Sequence, residues 1–535
     1  NGEQAGTITV QSETGTTLVS GAIEAKSTGE LAGKGGTVQL LGNRVGLITA
    51  RVDASGTAGG GTVLVGGDYQ GKNPSVQNAS TSYMSADSSI SADAIANGSG
   101  GKVVVWSEGD TSIAGTLTAR GGANSGDGGF IETSGKRVSG AGSTRVNTLA
   151  PHGKTGLWLL DPLNWTIAGA GGDETPAEVT TSLATTNRLI EATNDITVSD
   201  AVSWTTPQTL ELSAGHDVLV NAALNANTAG AGIKLSAGNN VSVTGALSAN
   251  GAGSAITLSA GNNVSVDAAL HADGAGSVIE LRADKGGTGA GTVTFAAAGS
   301  ATAPITNIYY NPTSYTDYST NYTAYDAKVT GALNTYMLLF VTGLSADKTY
   351  NGNTTAVLTG TATIAPAGSD AVTLAGSGSV TNFSTKDVHT EVLTLSGYSI
   401  TGGDTFKYSL FQPSNLSASI TPAPVSFTGT KVYDTNTNFA FGTFGTAGTI
   451  SALGGETLLL SGTGTVASKD VGSGKTVTTT GLALNDVAGT GGLASNYTFT
   501  GGVQTAAVTV APVSFTGTKV YDTNTNFAFG TFGTA

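Results

Sequence analysis

Cysteine is absent from the 535 residues of this chain, so no disulfide framework holds it together, and backbone pairing and burial must supply the stability. Charge is sparse as well. Asp, Glu, Lys and Arg make up 11% of the residues, and the net charge is −14. Phosphate backbones require clustered Lys and Arg, which excludes nucleic acid as a partner. No run of about 18 apolar residues occurs, so no segment is fit to cross a membrane as a helix. The opening residues Asn1, Gly2, Glu3 and Gln4 carry neither the basic nor the apolar part of a signal peptide, and the chain reads as a mature or excised segment. Proline is too rare, at 12, and glycine too aperiodic, at 79, for a collagen triple helix. Glu, Lys, Arg and Met, the straight-chain helix formers, are few.

What remains is Thr, Ser, Val, Ala, Gly and Asn, the material of strands and turns. With 39% hydrophobic residues and so little charge, the composition lies outside that of disordered chains. The expected class is all-β, and the length calls for several units.

Internal repetition is the strongest signal. Leu212, Leu235, Leu258 and Leu281 recur at steps of 23 residues (235 − 212, 258 − 235, 281 − 258), three of them opening LSAG. Val218/Val220, Val241/Val243 and Val264/Val266 alternate as short strands with one buried face. Such a unit cannot bury its apolar side alone, whereas units stacked every ~4.8 Å pair each strand with the next. The repeat therefore predicts a parallel β-helix, one coil per unit, over residues 166–300. Residues 1–165 show an irregular form of the same pattern. Gly-Gly strand openings begin at 35, 60, 100 and 128, at spacings of 25, 40 and 28, and the widest gap leaves room for an excursion over 69–93. Together the two stretches predict about 13 coils and on the order of 60 Å of shaft.

Residues 301–340 break the pattern. Tyr309, Tyr310, Tyr315, Tyr318, Tyr322 and Tyr325 crowd together there, a composition that suits the cap of a β-helix or a domain junction better than a sugar-stacking surface. A second repeat then begins. Residues 423–447 recur letter for letter at 511–535, an offset of 88 (511 − 423). A weaker copy, KTYNGNT at 348–354, matches KVYDTNT at 431–437, and Lys386-Asp387-Val388 matches Lys469-Asp470-Val471, both at offset 83. Units of this size with many short strands predict tandem small β-sandwich (Ig-like) domains over 341–423 and 424–511, with 512–535 opening a third.

Chemistry is hard to find in the sequence. His152, His216, His271 and His389 lack the spacing of a metal site, and no cysteine assists them. The stretch 121–129 (GGANSGDGG) resembles a calcium-binding glycine–aspartate repeat but occurs once, where such sites need stacked copies. Asp and Glu are dispersed, without the carboxylate cluster of a polysaccharide-cleaving β-helix. Asn164, Asn240, Asn263, Asn321, Asn382 and Asn496 head Asn-x-Ser/Thr triplets, a number that chance supplies in a chain of this composition. The reading is a non-enzyme with no catalytic, cofactor-binding or metal-binding residues.

Several stretches carry a resemblance. GGKVVVWS at 100–107, ARGG at 119–122, GGFIETSG at 128–135, LWLLDP at 157–162 and GGGTVLVGGDYQG at 59–71 are similar to filamentous-haemagglutinin-like exoproteins of two-partner secretion. The 348–354 and 431–437 motifs resemble YDG repeat domains, with Tyr-Asn-Gly at 350–352 but Tyr-Asp-Thr at 433–435 and 521–523. The resemblance implies a right-handed β-helix, secretion through an outer-membrane partner, and an adhesion or biofilm role at the bacterial surface. The expected function is thus an extracellular adhesin stalk that attaches to host or neighbouring-cell receptors or glycans through many weak contacts. Two other readings stand beside it: a subunit that self-associates into a homopolymeric fibre, end to end or by strand donation, and a β-helix enzyme acting on glycans.

Overall fold

The computed structural model describes residues 5–27, 33–311, 317–412, 416–487, 489 and 492–528. Tyr315 and the last residues of the third copy, 529–535, lie outside that set. Two compact units form. The first comprises 1–340, 364–373 and 400–411, and the second 341–363, 374–399 and 412–535.

The first unit is a parallel β-helix. Among the described residues its strands form a sheet of 18 strands and two others, of eight and six. The physical logic is clearest in one column of paired residues. Ile8, Val38, Val63, Val103, Ile131, Trp158, Arg188, Leu210, Ile233, Ile256 and Ile279 lie side by side from coil to coil. All of them except Ile8 are buried. Each buried aliphatic side chain contributes roughly 2 kcal/mol of transfer free energy, and stacking like on like lets neighbouring coils share one core. In the regular stretch a coil has three strands, such as Thr209–Ala214, Val218–Val220 and Leu224–Ala226. Leu212, Leu235, Leu258 and Leu281 pair in succession, as the 23-residue step predicts.

The Gly-Gly openings have a steric cause. A Cβ on Gly61 would lie 2.1 Å from the carbonyl oxygen of Gly36, and one on Gly101 would lie 2.0 Å from that of Gly61. At these points adjacent coils touch backbone to backbone, and any larger residue would force them apart.

The irregular part departs from expectation in one respect. Of the excursion over 69–93, only its first portion leaves the coil. A short 3₁₀ turn, Tyr69–Gly71, lies outside the strand pairing, but Thr81–Met84 and Ser89–Ser91 return to pair with Arg44–Asp53. The alternation that buries Ser82, Met84, Ile90 and Ala92 drives this return. The Tyr-rich stretch carries further strands of the same sheet. Ser300–Tyr310 pairs with Val278–Arg282 and with Val329–Phe340, and a helix, Tyr318–Asp326, lies between these long strands in sequence.

In the second unit the two copies share a topology. Lys348–Thr349 pairs in parallel with Leu416–Thr421, which pairs antiparallel with His389–Leu393. In the next copy Phe427–Val432 pairs in parallel with Gln504–Thr509, which pairs antiparallel with Gly472–Thr478. Each copy therefore closes its own fold by laying its last strand beside its first. Phe439, Phe444, Leu458, Leu460 and Val508 lie in the core of the second.

Candidate functional site

The turns of the β-helix are tied by a ladder of Asn and Asp side chains. Asn164 Oδ1 accepts the backbone N–H of Asp195, Asp195 Oδ1 that of Asp217, and Asp217 Oδ1 that of Asn240. Asn240 Oδ1 accepts from the N–H of Asn263, and Asn263 Oδ1 from that of Thr292. Each rung satisfies a backbone donor one coil onward, which is what a short Asx side chain at a turn does well. Three of the glycosylation-type asparagines, Asn164, Asn240 and Asn263, are rungs.

His216 joins this ladder. Its Nδ1 lies 2.9 Å from Asp195 Oδ1 and 3.2 Å from Asp217 Oδ2. Among the described residues these three form the one group with metal-ligand spacing, all within 4.8 Å. The rungs already occupy both carboxylates, and His216 and Asp195 are open to solvent. The hydrogen bond to Asp195, then the charge of Asp217, hold the imidazole above its ordinary value. His152 is exposed, His271 lies 4.0 Å from Asp273, and His389 bonds the Asp387 carbonyl and Glu391. In the 121–129 stretch Asp127 Oδ1 accepts the backbone N–H of Lys154 at 2.7 Å.

The structure brings together a carboxylate cluster that the linear sequence leaves dispersed. Glu132, Asp161 and Glu191 come from successive coils and meet beneath the Tyr69–Gly71 turn. The backbone N–H of Gln70 donates to Glu132 Oε1 at 3.0 Å, and its side-chain amide donates to Glu191 at 3.1 Å. The turn itself folds onto the Trp106 indole, where a Cβ on Gly71 would sit 2.4 Å from the ring. Glu132 has no exposed surface, and burial pushes its carboxyl up to about 7. Burial, with the Glu191 charge added, pushes Asp161 up to about 6. Paired carboxylates with raised affinity for protons are the raw material of general acid–base chemistry. Here, however, the turn seals Glu132 from solvent and uses it as an anchor. The sequence signal was available only as GGFIETSG and LLDP, motifs whose acids lie 29 residues apart (161 − 132).

The repeat motifs of the second unit build two devices, of which the first recurs in every copy. The first is a lysine-clamped turn. Lys431 Nζ donates to Asp434 at 2.7 Å and to the carbonyls of Asn436 and Asn438 at 2.9 and 2.7 Å. Lys348 clamps 353 and 355 in the first copy, and Lys519 clamps 524 and 526 in the third. The left-handed position of the turn is filled by Gly352 (φ 78), then by Thr435 (φ 70) and Thr523 (φ 64).

The second device is a clasp between the two copies. Glu456 of the second copy accepts from Tyr350 OH at 2.8 Å and Lys386 Nζ at 2.7 Å, both in the first copy, and from Tyr497 OH at 2.7 Å in its own. The Tyr350 and Tyr497 rings meet edge to face at 5.4 Å. Beside them Asn496, fully buried, accepts the N–H of Val388 and donates to Asp387, both at 2.8 Å. Burial opposes the Glu456 charge, but the bonds from Lys386, Tyr497 and Tyr350 outweigh it and hold the carboxyl below its ordinary value. The repeated Tyr and Lys-Asp-Val of one copy thus receive the acid, Asn and Tyr of the next.

Fold and site together define a class: a β-helix protein that also carries tandem β-modules with a shared inter-module clasp. Residues 338–416 and 417–506 match the family model of the YDG domain. No curated protein matches the chain.

Proposed function

We propose that the chain is a non-enzymatic, extracellular segment of a bacterial surface adhesin, secreted through an outer-membrane partner and attaching to host or neighbouring-cell receptors or glycans. The observation that supports this most is repetition in register. Coil follows coil with like residues in register, and two YDG modules follow with one clasp, an architecture that supplies length and many equivalent faces. The motifs at 59–71, 100–107, 128–135 and 157–162, which resemble two-partner-secretion exoproteins, support the secretion route. The test is attachment. Beads coated with the purified chain are counted on epithelial monolayers and on immobilised glycans beside albumin-coated beads. Binding above the albumin control is expected, and binding equal to it would overturn the reading.

The glycan-acting reading draws on Glu132, Asp161 and Glu191. Its support is weaker because Glu132 is sealed beneath Gln70. Release of reducing ends from polysaccharides by the chain, abolished in Asp161→Asn, would make it the primary function.

A further inference from the structure

The clasp makes each YDG copy a two-faced object. One face carries an acid and a tyrosine joined by a hydrogen bond: Glu456 with Tyr497 in the second copy, and Asp370 with Tyr408, also at 2.7 Å, in the first. The other face carries the tyrosine of the clamped turn and the Lys-Asp-Val tripeptide: Tyr350 with Lys386, Asp387 and Val388 in the first copy, and Tyr433 with Lys469, Asp470 and Val471 in the second.

Three of these four faces are engaged. Asp370 and Tyr408 pack within the first unit, where Lys407 reaches Asp370 at 2.7 Å and lies 5.6 Å over the Tyr318 ring. Glu456 and Tyr497 meet Tyr350 and Lys386. The fourth face, that of Tyr433 and Lys469, is assembled in the same way and faces solvent. Lys469 Nζ lies 3.3 Å from Tyr433 OH, as Lys386 Nζ lies 3.1 Å from Tyr350 OH. The difference is in cover. Tyr350 is 3% exposed and Val388 half-buried, whereas Tyr433 is half-buried and Val471 is 52% exposed. Lys386 holds Glu456 at 2.7 Å, whereas the acid nearest Lys469 among the described residues is its own neighbour Asp470, at 3.6 Å.

We infer that the Tyr433–Lys469–Val471 face is a docking surface for the acid-and-tyrosine face of another YDG module, one of the kind that the repeat of 423–447 at 511–535 opens. The occupant is specified by chemistry and by the repeat. The surface offers a lysine and a phenol to a carboxylate, a backbone N–H at Val471 to an asparagine oxygen, and Asp470 to that asparagine's amide. These are the groups that Glu456 and Asn496 engage on the first copy. The connection is also the same, since Ala511-Pro512-Val513 repeats Ala423-Pro424-Val425. A carboxylate that meets an ammonium and two phenols, partly shielded from water, gives such a joint both orientation and selectivity.

The inference is independent of the attachment reading, because it concerns a joint between modules whatever they bind. Its test compares the 535-residue chain with the same chain extended by a copy of residues 448–510, which completes the third YDG module. Lysines are acetylated under limiting reagent and read peptide by peptide by mass spectrometry. Lys386, already clasped, is the internal standard. Lys469 should react freely in the 535-residue chain and about tenfold more slowly in the extended one, approaching Lys386. Glu→Gln at the counterpart of Glu456 in the added module should return Lys469 to the fast rate without unfolding either neighbour. Equal reactivity of Lys469 in both chains would overturn the inference. So would protection of Lys469 in the 535-residue chain that grows with protein concentration, since that assigns the face to a second molecule.

Discussion

Glu174 and Arg188 meet through two hydrogen bonds of 2.9 Å, and neither side chain has any exposed surface. Arg188 is the one charged member of an otherwise apolar column, and its guanidinium also stacks on Trp158 at 4.1 Å. Glu174 precedes the helix Pro176–Ser182, whose Thr175–Glu178 capping box fixes its start. The pair therefore ties a helical insertion to the β-helix core.

The first prediction follows from that burial. Arg188→Met should cost about 3–5 kcal/mol, because it leaves Glu174 charged and alone in a low dielectric. Arg188→Met with Glu174→Leu should return most of the loss. All four tryptophans, Trp106, Trp158, Trp165 and Trp204, belong to the first unit, so their fluorescence during urea unfolding reads this transition.

A second prediction concerns pH. Glu132 ionises at about 7 in the folded chain against an ordinary 4.5. The folded state thus holds a proton that the unfolded state releases, and stability falls as pH rises from about 4.5 through 7, by about 3 kcal/mol in all. Glu132→Gln keeps an acceptor for Gln70 and removes the titration. Its unfolding midpoint should change less than the wild type's between pH 5 and pH 8.

The clasp titrates in the opposite sense. Glu456 is held below its ordinary value, so its contribution is present above pH 4.5 and is lost as pH falls through the lower folded value. The protection of the Val388 amide against hydrogen exchange, relative to its intrinsic rate at each pH, should fall there, because this amide bonds Asn496 across the joint. Glu456→Gln should show the lower protection already at neutral pH.

Backbone strain gives the fourth. Thr435 adopts φ 70 where the first copy has Gly352, a region costly for a β-branched residue. Thr435→Gly should stabilise the second module by about 1 kcal/mol, visible as a higher calorimetric midpoint for the second unit.

The 23-residue step was legible because the regular coils put the same residue at the same place: Leu212, Leu235, Leu258 and Leu281. The irregular coils were half legible. Gly-Gly pairs marked where coils touch, but nothing local in DSSISAD shows that Ile90 pairs with both Val52 and Leu117. Glu132 and Asp161 look unrelated in the sequence because coil length converts a large sequence separation into proximity, and the lengths vary in that stretch. The clasp was least legible. Lys386 and Tyr350 were visible as repeats, but their partner, Glu456, belongs to the other copy and replaces a shorter Asp370. A motif search within one module therefore sees only half of the joint.

The Asx ladder has an evolutionary corollary. Asn240 and Asn263 each receive the backbone of the next turn and offer their own to the one before. A gene that gained or lost one 23-residue block would present the same bonding partners at the new seam. The number of coils can then drift by unequal recombination in single-coil steps, with the bonding pattern of every remaining turn unchanged.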